Sequence, residues 1–349
     1  MAVRRVLITG VSRFLGLRLA RELDKDDGIE AVVGVDLEEP PLPMDRVEFI
    51  RADIRSPLIA RVIEAADPDA IVHTNIASSP GLVGGRSQMK ENNVIGTLQL
   101  LAAAQRSDRV KKVVMRSSTA IYGYGPGEPS VLPEDHASRP VDLRGYAKDC
   151  AEAEQYARDF GRRRSDLDLV ILRTQNVVGP TVTTSMTEYL SLPVIPSAFG
   201  YDPRLQFLHE DDAATALRLA LVEDCRGIYN VAADGVVYLS QAVRRLGKVQ
   251  VPLLLPTAEM AAGFIRRLGL VDFPADQLKL LLYGRVVSIR RARRAFGFAP
   301  QFTTEQTLAD FRDHRAKGPI PEPDSMHPAW DRELVEYLKN RSSANKETV

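Results

Sequence analysis

The sequence predicts an α/β fold in which a doubly wound parallel sheet is followed by a smaller C-terminal lobe. Short apolar runs rich in β-branched residues alternate with amphipathic segments through the first half of the chain. Strands that alternate with helical patterns are typical of βαβ units, which build a parallel sheet with helices on both faces. After about residue 175 this rhythm gives way to proline-rich segments. The predicted strands contain Val6–Ile8, Ala31–Val33, Val47–Ile50, Ala70–Val72, Val113–Met115 and Leu169–Leu172.

The composition argues against several classes of function. The 349 residues include 46 basic and 46 acidic side chains, so zero net charge offers no general attraction to nucleic acid or an anionic membrane. The two cysteines, Cys150 and Cys225, cannot form a disulfide framework or a zinc ligand set. The run Val6–Ile8 is too short for a signal peptide, and no run reaches the roughly 18 residues of a membrane helix. We therefore expect a cytoplasmic protein without a metal centre.

A glycine-containing turn connects the first predicted strand to the first predicted helix. Gly10 and Gly16 bracket a segment that includes Arg13, Phe14 and Leu15, with the spacing G-x-x-x-x-x-G. In such a unit one glycine permits the tight turn, another lets the helix pack closely on the sheet, and the helix N-terminal amides bind a pyrophosphate. The turn therefore predicts a Rossmann-type fold, although similar turns occur in α/β proteins that bind no dinucleotide.

Acidic residues follow the second and third predicted strands. Asp36 lies about 20 residues beyond Gly16, where a carboxylate would accept hydrogen bonds from the adenosine ribose hydroxyls. A carboxylate there repels a 2′-phosphate, which favours NAD over NADP. Asp53, followed by Ile54, stands where a side chain could reach the adenine edge. Together with the turn, these residues predict NAD as the cofactor.

The change of rhythm near residue 175 sets the predicted domain boundary. Residues 1–175 are predicted to form a Rossmann-type domain that binds NAD, and residues 206–232 return to it. Residues 176–205 and 233–335 are predicted to form the smaller C-terminal substrate lobe. Residues 336–349 read as a polar tail.

Ordered motifs along nearly the whole chain resemble those of a known family. The sequence resembles the extended short-chain dehydrogenase/reductase family, and within it the NAD-dependent epimerase/dehydratase branch typified by UDP-glucose 4-epimerase. The resemblance implies an oxidoreductase that transfers a hydride between a carbinol carbon of a nucleotide sugar and the nicotinamide. The motifs are the turn, Asp36, Asp53, NNVIGT at 92–97, SSTAIYG at 117–123, Tyr146, RTQNVVGP at 173–180, FLHEDD at 207–212 and YNV at 229–231.

The resemblance also assigns roles to individual residues. Ser118 takes the position that hydrogen-bonds the reacting hydroxyl, and Tyr146 takes that of the general base, which also lies beside the cofactor. His73 ends the fourth strand beside the cofactor, where packing is the alternative to a catalytic role. Asn93 corresponds to a structural asparagine, and Asn176 to the asparagine that meets the substrate diphosphate.

The helix that carries Tyr146 departs from the family pattern. Where the family has a lysine four residues after the tyrosine, this sequence has Cys150, and Lys148 stands only two residues after it. A residue at i+4 returns to within about 40° of the same helix face, whereas one at i+2 is turned by about 200°, so Lys148 should point away. A neutral thiol cannot lower the tyrosine pKa, ordinarily about 10. Tyr146 is therefore either a base helped by another cation or a bystander at the cofactor cleft.

Three arginines need separate interpretation. Arg13 replaces the middle glycine of the phosphate turn. Three roles are open for it: its side chain blocks the approach of the pyrophosphate, binds the pyrophosphate by charge-assisted hydrogen bonds, or faces solvent. Arg204 stands one residue out of register with the family's substrate-binding arginine. The sequence therefore supports a UDP-sugar as the substrate less strongly than it supports NAD as the cofactor. Arg173 is expected to form a structural ion pair near the end of its strand.

These observations leave two functions open. The first is a NAD-dependent nucleotide-sugar epimerase/dehydratase-like oxidoreductase that works through Ser118 and Tyr146 with a degenerate Tyr-x-x-x-Lys site. The alternative is a NAD-binding protein with little or no catalysis, such as a redox sensor, scaffold or partner subunit. Both predict a small-molecule partner, no nucleic acid and no membrane. The resemblance also allows a homodimer through the helices that carry Asn93 and Tyr146.

Overall fold

The computed structural model describes residues 3–42, 44–123, 125, 128–136, 143–253 and 275–315. No helix in these ranges is long and apolar enough to cross a membrane. Their strands are β1 (Arg5–Thr9), β2 (Ala31–Asp36), β3 (Val47–Arg51), β4 (Ala70–His73), β5 (Lys112–Ser118), β6 (Asp168–Thr174), β7 (Asn176–Val178), β8 (Val194–Ala198), β9 (Arg204–Leu205), β10 (Phe207–His209), β11 (Gly227–Val231), β12 (Val237–Tyr238) and β13 (Val249–Leu253). Their α-helices are α1 (Phe14–Asp24), α2 (Ile59–Ala66), α3 (Arg86–Lys90), α4 (Thr97–Ala104), α5 (Gly145–Arg163), α6 (Ser185–Ser191), α7 (Glu210–Val222), α8 (Leu239–Arg245), α9 (Ala275–Tyr283), α10 (Arg290–Phe296) and α11 (Thr304–His314).

Seven strands form one parallel sheet in the order β11-β6-β5-β4-β1-β2-β3. Strand β4 is wholly buried and β1 is buried except for its first residue, because such a sheet is covered on both faces. Each of the six apolar runs that predicted a strand lies within this sheet. The predicted doubly wound α/β class is therefore confirmed.

The strand order reverses beside β1, since the chain runs outward to β3 and then returns to β4 on the other side. In open α/β sheets, ligands bind at the carboxyl ends of the strands next to such a reversal. Thr9 is level with His73 across the β1 and β4 pair, and Asp36 and Ser118 end β2 and β5. We call this region the carboxyl edge.

A second hydrophobic core is built from segments that follow β6. Strand β7 pairs with β10, β8 with β13 and β9 with β12, whereas β11 pairs with β6 in the main sheet. The predicted division into a Rossmann domain and a substrate lobe stays a prediction. Residues 254–274 and the predicted tail lie outside the described residues. The second core includes Val178, Met186, Tyr189, Leu190, Ile195, Leu205, Phe207, Val237, Leu239, Leu308 and Phe311.

Helix α5 is held against the sheet by a buried ion pair. The side chains of Glu154 in α5 and Arg173 in β6 are 1% and 4% exposed, and Oε2 lies 2.8 Å from Nη2. The hydroxyl of Ser117, in β5, donates to Oε1 of Glu154 at 2.6 Å. This network confirms the structural ion pair expected of Arg173 and fixes the helix that carries Tyr146.

Candidate active site

The turn between β1 and α1 leaves no space for side chains at its two glycines. Gly10 has a φ of 80°, a conformation that side chains rarely adopt. A Cβ atom at Gly16 would lie 2.1 Å from the carbonyl oxygen of Gly10, so α1 can begin this close to β1 only with glycine there. Phe14 and Leu15 form the first turn of the helix, with Leu15 buried. The glycines thus allow the N-terminus of α1 to lie directly at the carboxyl edge.

Asp36 lies directly beside this turn. Its carboxylate accepts hydrogen bonds from the backbone amides of Ser12 at 3.2 Å and Leu37 at 2.8 Å. Burial raises its pKa, although these amides and the nearby Arg13 oppose the shift. Because each carboxylate oxygen has two lone pairs, Asp36 retains acceptor capacity for a ligand.

Asp53 and Ile54 follow β3 with contacts of their own. Both Asp53 oxygens accept hydrogen bonds from the Arg55 side chain, and these bonds lower the pKa of Asp53. Ile54 is fully buried and packs close to Gly96, where an added Cβ would lie 2.7 Å from its Cδ1. The structure thus places Ile54 in the core, and it pairs Asp53 with an arginine that sequence reasoning did not consider.

His73 and Asn93 are buried and fully hydrogen-bonded. The ring of His73 lies between the Thr9 hydroxyl, 2.7 Å from Nδ1, and the Thr97 hydroxyl, 2.9 Å from Nε2. Burial, with a smaller effect of Arg116, lowers the pKa of His73 to about 3, so the ring is neutral. The Asn93 amide bonds both the backbone N–H and the carbonyl of Ala77 at 2.8 Å. Both side chains therefore hold elements together.

The two predicted catalytic residues meet at the carboxyl edge. The Tyr146 hydroxyl lies within interaction range of the Ser118 hydroxyl and of the Cys150 thiol, and the Ser118 hydroxyl accepts a hydrogen bond from the backbone amide of Ala120 at 3.1 Å. Burial raises the pKa of Tyr146 above its ordinary value and Cys150 adds to this shift, whereas Arg116 and Ser118 lower it. Burial also raises the pKa of the Cys150 thiol to about 12, so this side chain supplies no charge at neutral pH. Tyr146 is well positioned but weakly activated.

The positively charged side chain that acts on Tyr146 comes from a strand and not from the helix position where the family has lysine. Lys148 points away as predicted, since it is 57% exposed and lies 3.9 Å from Glu152. Arg116, which sequence reasoning missed, carries a charge that acts on Tyr146, Cys150, His73 and Arg13. The signal was available, because an arginine two residues before Ser118 interrupts an apolar strand and faces the same side of the sheet.

The predicted substrate residues lie on the strands that follow the main sheet. Arg204 lines a cavity of about 230 Å³ together with Gly123, Leu132, Tyr283 and Arg285. Asn176 begins β7 and is half-buried opposite Phe207. Sequence reasoning did not identify Arg285, which is nearly buried and lies far from Arg204 in the chain.

The doubly wound sheet, its glycine turn and Asp36 at the end of β2 define a dinucleotide-binding α/β protein. The chain belongs to the NAD dependent epimerase/dehydratase family, whose model matches residues 6–232. An uncharacterized protein of Mycobacterium tuberculosis is 38% identical over 345 residues, which cover 97% of this chain and 91% of that protein. The predicted family is therefore confirmed.

Solved structures show the same fold at low sequence identity. The UDP-glucuronic acid 4-epimerase of Bacillus cereus in complex with NAD is 20% identical, with a TM-score of 0.66. The UDP-glucose 4-epimerase of Thermotoga maritima with UDP-glucose is 18% identical, with a TM-score of 0.68. Each match covers 88% of this chain and 97% of the other. The predicted cofactor, NAD, is confirmed by membership of a family described as NAD dependent.

Proposed function

We propose that this protein is a NAD-dependent oxidoreductase of the epimerase/dehydratase type that acts on a nucleotide sugar. The observation that carries the proposal is the placement of Ser118, the last residue of β5, within interaction range of Tyr146 in the first turn of α5 at the carboxyl edge. A serine and a tyrosine placed in this way can hold a carbinol and accept its proton. The glycine turn at the same edge is the place where a dinucleotide would bind beside them.

The residues of the carboxyl edge fit the parts of NAD. Gly10 and Gly16 let α1 begin directly against β1, because an added Cβ at Gly16 would lie 2.1 Å from the carbonyl oxygen of Gly10. The N-terminus of α1 therefore lies at the carboxyl edge, and a helix N-terminus in this place suits a pyrophosphate. Asp36 has remaining acceptors for ribose hydroxyls, and its charge disfavours a 2′-phosphate. Arg13 contains a buried Nε with no hydrogen-bond partner among the described residues, which suits a phosphate oxygen.

The chain's own residues would then orient the substrate and move its proton. NAD, when bound, supplies the acceptor for a hydride. Ser118 holds the reacting hydroxyl, and the Tyr146 oxygen accepts its proton as the carbinol is oxidised. The raised pKa of Tyr146 means that few molecules carry the phenolate at neutral pH, so we expect slow turnover.

The proposed substrate class rests on charge and on similarity. Arg204 and Arg285 line the same cavity as Glu128, and the excess of one positive charge favours an anionic ligand such as a nucleoside diphosphate. Solved neighbours include complexes with UDP-glucose and UDP-glucuronic acid. These observations support a nucleotide sugar as the substrate of this chain.

Replacing Tyr146 by phenylalanine tests the proposed mechanism. We expect purified wild-type protein to convert at least one of UDP-glucose, UDP-galactose and UDP-glucuronic acid, and Tyr146→Phe to lower that rate at least about 100-fold, because a general base is removed. Products are separated by chromatography, and NAD affinity is measured by calorimetry. Tyr156→Phe, a half-buried tyrosine on the same helix, is the matched control. Turnover that survives in Tyr146→Phe rejects the mechanism.

The alternative function, NAD binding with little or no catalysis, is favoured by one observation. The residue one turn after Tyr146 is an uncharged, buried thiol, so the site lacks the cation that the family resemblance led us to expect. A Rossmann domain with this site could still bind NAD as a sensor, scaffold or partner subunit. The homodimer and the cytoplasmic location remain proposals carried by the sequence.

Supplying the charge should activate the site. We expect Cys150→Lys to raise turnover at neutral pH about tenfold or more, because a cation near Tyr146 lowers its pKa and one pKa unit changes the phenolate fraction tenfold. The rising limb of kcat/KM against pH should move to lower pH. Cys150→Met, which adds volume without charge, is the control, and NAD affinity and thermal unfolding report on the fold of both variants. Equal rates in two folded, NAD-binding variants contradict the charge argument.

A further inference from the structure

Arg116 is an arginine inside a strand of the main sheet. In β5 it is the one half-buried residue, and the other six are buried. Side chains alternate along a strand, so Arg116 lies on the same face as Ser118, two residues nearer the strand start. Its pairing partner on β6 is Leu172, and β4 ends one residue earlier, beside Met115. Its guanidinium therefore lies at the carboxyl edge.

The described residues use only part of the hydrogen-bonding capacity of the Arg116 guanidinium. Its Nη1 donates to the carbonyl of Ile76 at 2.8 Å, and this acceptor is neutral. Its Nε is buried and has no hydrogen-bond partner among the described residues. A partly buried cation that lacks a compensating anion is unfavourable, since desolvation is not offset by a charge partner.

Arg13 repeats this pattern on the neighbouring turn. It precedes the first residue of α1 in an extended conformation and is half-buried, with an Nε that likewise lacks a partner in the described chain. Burial lowers the pKa of its guanidinium, Asp36 opposes this shift, and Arg116 adds to it. Two arginines thus stand close enough to repel each other. The solvent-facing role considered for Arg13 does not fit this burial.

The groups around Arg116 do not neutralise it. His73 is held neutral by burial, and Cys150 is an uncharged thiol. Tyr146 is neutral as well, because burial raises its pKa. Asp36 and Glu38 offset part of the charge of Arg13. The region between the turn and β5 therefore holds two guanidinium groups, each with a buried Nε that finds no acceptor in the part of the chain that the structure describes.

We propose that Arg13 and Arg116 bind the diphosphate of the dinucleotide from two sides, with their unpaired Nε groups among the donors. A diphosphate brings two negative charges and several acceptor oxygens, and guanidinium groups form strong charge-assisted bonds with such oxygens. The inference rests on the proposed function, in which NAD is bound. It adds that two arginine side chains of this chain supply charge to the diphosphate, one of them at the turn position where the family has glycine.

The first experiment needs no dinucleotide. Inorganic pyrophosphate is titrated into the wild-type protein while the thermal unfolding midpoint and the heat of binding are recorded. We expect the midpoint to rise, because a ligand that binds only the folded state stabilises it. The rise should disappear in Arg13→Met and in Arg116→Met. It should persist in Arg109→Met, which removes an arginine that pairs with Asp69 next to the first residue of β4.

The second experiment measures NAD affinity in the same variants. We expect each methionine variant to bind NAD about 10- to 100-fold more weakly, as for loss of a hydrogen bond to a charged group. Arg116→Lys should recover part of the loss, because charge is retained. The unfolding midpoint without ligand should stay the same or rise in Arg116→Met, since repulsion is relieved. A lowered midpoint with unchanged affinity would instead assign Arg116 a structural role.

The outcomes separate the clamp from the proposed function. Unchanged or tighter NAD binding in both methionine variants overturns the clamp and leaves the NAD proposal standing. Pyrophosphate binding that requires both arginines, without NAD binding, would show an anion site at the two arginines but would reject the clamp on a dinucleotide together with the proposed function. A wild-type protein that binds neither ligand rejects both.

Discussion

Gly16→Ala is expected to weaken NAD binding by about 100-fold and to destabilise the fold by about 1–3 kcal/mol. The added Cβ would lie 2.1 Å from the carbonyl oxygen of Gly10 and 2.9 Å from the hydroxyl oxygen of Thr74. A backbone carbonyl cannot turn aside as a flexible side chain can, so the start of α1 must move away from β1. The amides that would bind a phosphate move with it.

Calorimetry with NAD and thermal unfolding measure the two effects separately. Gly28→Ala is the matched control, because its Cβ would meet only the side chain of Asp26, at 3.1 Å, in an exposed turn. We expect this control to change neither NAD affinity nor stability appreciably. An NAD affinity that is unchanged in Gly16→Ala would show that the turn does not contact the cofactor.

Glu154→Gln is expected to lower the free energy of unfolding by about 3–5 kcal/mol, the usual cost of breaking a buried ion pair. Glu154 accepts hydrogen bonds from Arg173 Nε at 3.0 Å and Nη2 at 2.8 Å, and from the Ser117 hydroxyl. An amide in its place removes the carboxylate that compensates the buried Arg173 charge, which then has neutral acceptors such as the Tyr122 hydroxyl and the Glu134 carbonyl. Since Glu154 and Tyr146 share α5, the substitution should also loosen the site.

Urea unfolding monitored by circular dichroism gives the free energy of each variant. Glu152→Gln is the control on the same helix, because Glu152 has only long contacts of 3.9 Å with Lys90 and Lys148. We expect it to change stability by less than about 1 kcal/mol. A loss of similar size in both variants would mean that the buried ion pair contributes no more to the free energy of unfolding than an exposed carboxylate does.

The main sheet could be predicted from the sequence because its signals are local. The inner strands of the first half contain apolar runs, and burial on both faces makes such runs continuous, whereas the edge strand β3 is partly exposed and interrupted by Glu48. The direction of Lys148 could be predicted too, since it depends only on the helical period. The proximity of Ser118 to Tyr146 was implied by resemblance rather than by any pattern in the residues.

The rest depends on contacts between distant segments. Nothing local shows that Thr9 and Thr97 would enclose His73. Arg285 reaches the cavity of Arg204 only through the fold of the C-terminal region. The place of Arg116 in its strand could be derived from the sequence, but its proximity to Arg13 depends on the fold. The pair of Asp53 and Arg55 is different, because the two residues are two positions apart and the pair was open to prediction.

The buried thiol of Cys150 bears on any role in sensing oxidants. Oxidation and alkylation require the thiolate, and burial raises the pKa of this thiol to about 12, so very little thiolate is present at pH 7. The side chain is also 1% exposed, so peroxide and alkylating reagents have little access to it. Cys150 is therefore expected to react slowly in the folded protein, and a redox-sensing role would not depend on this thiol.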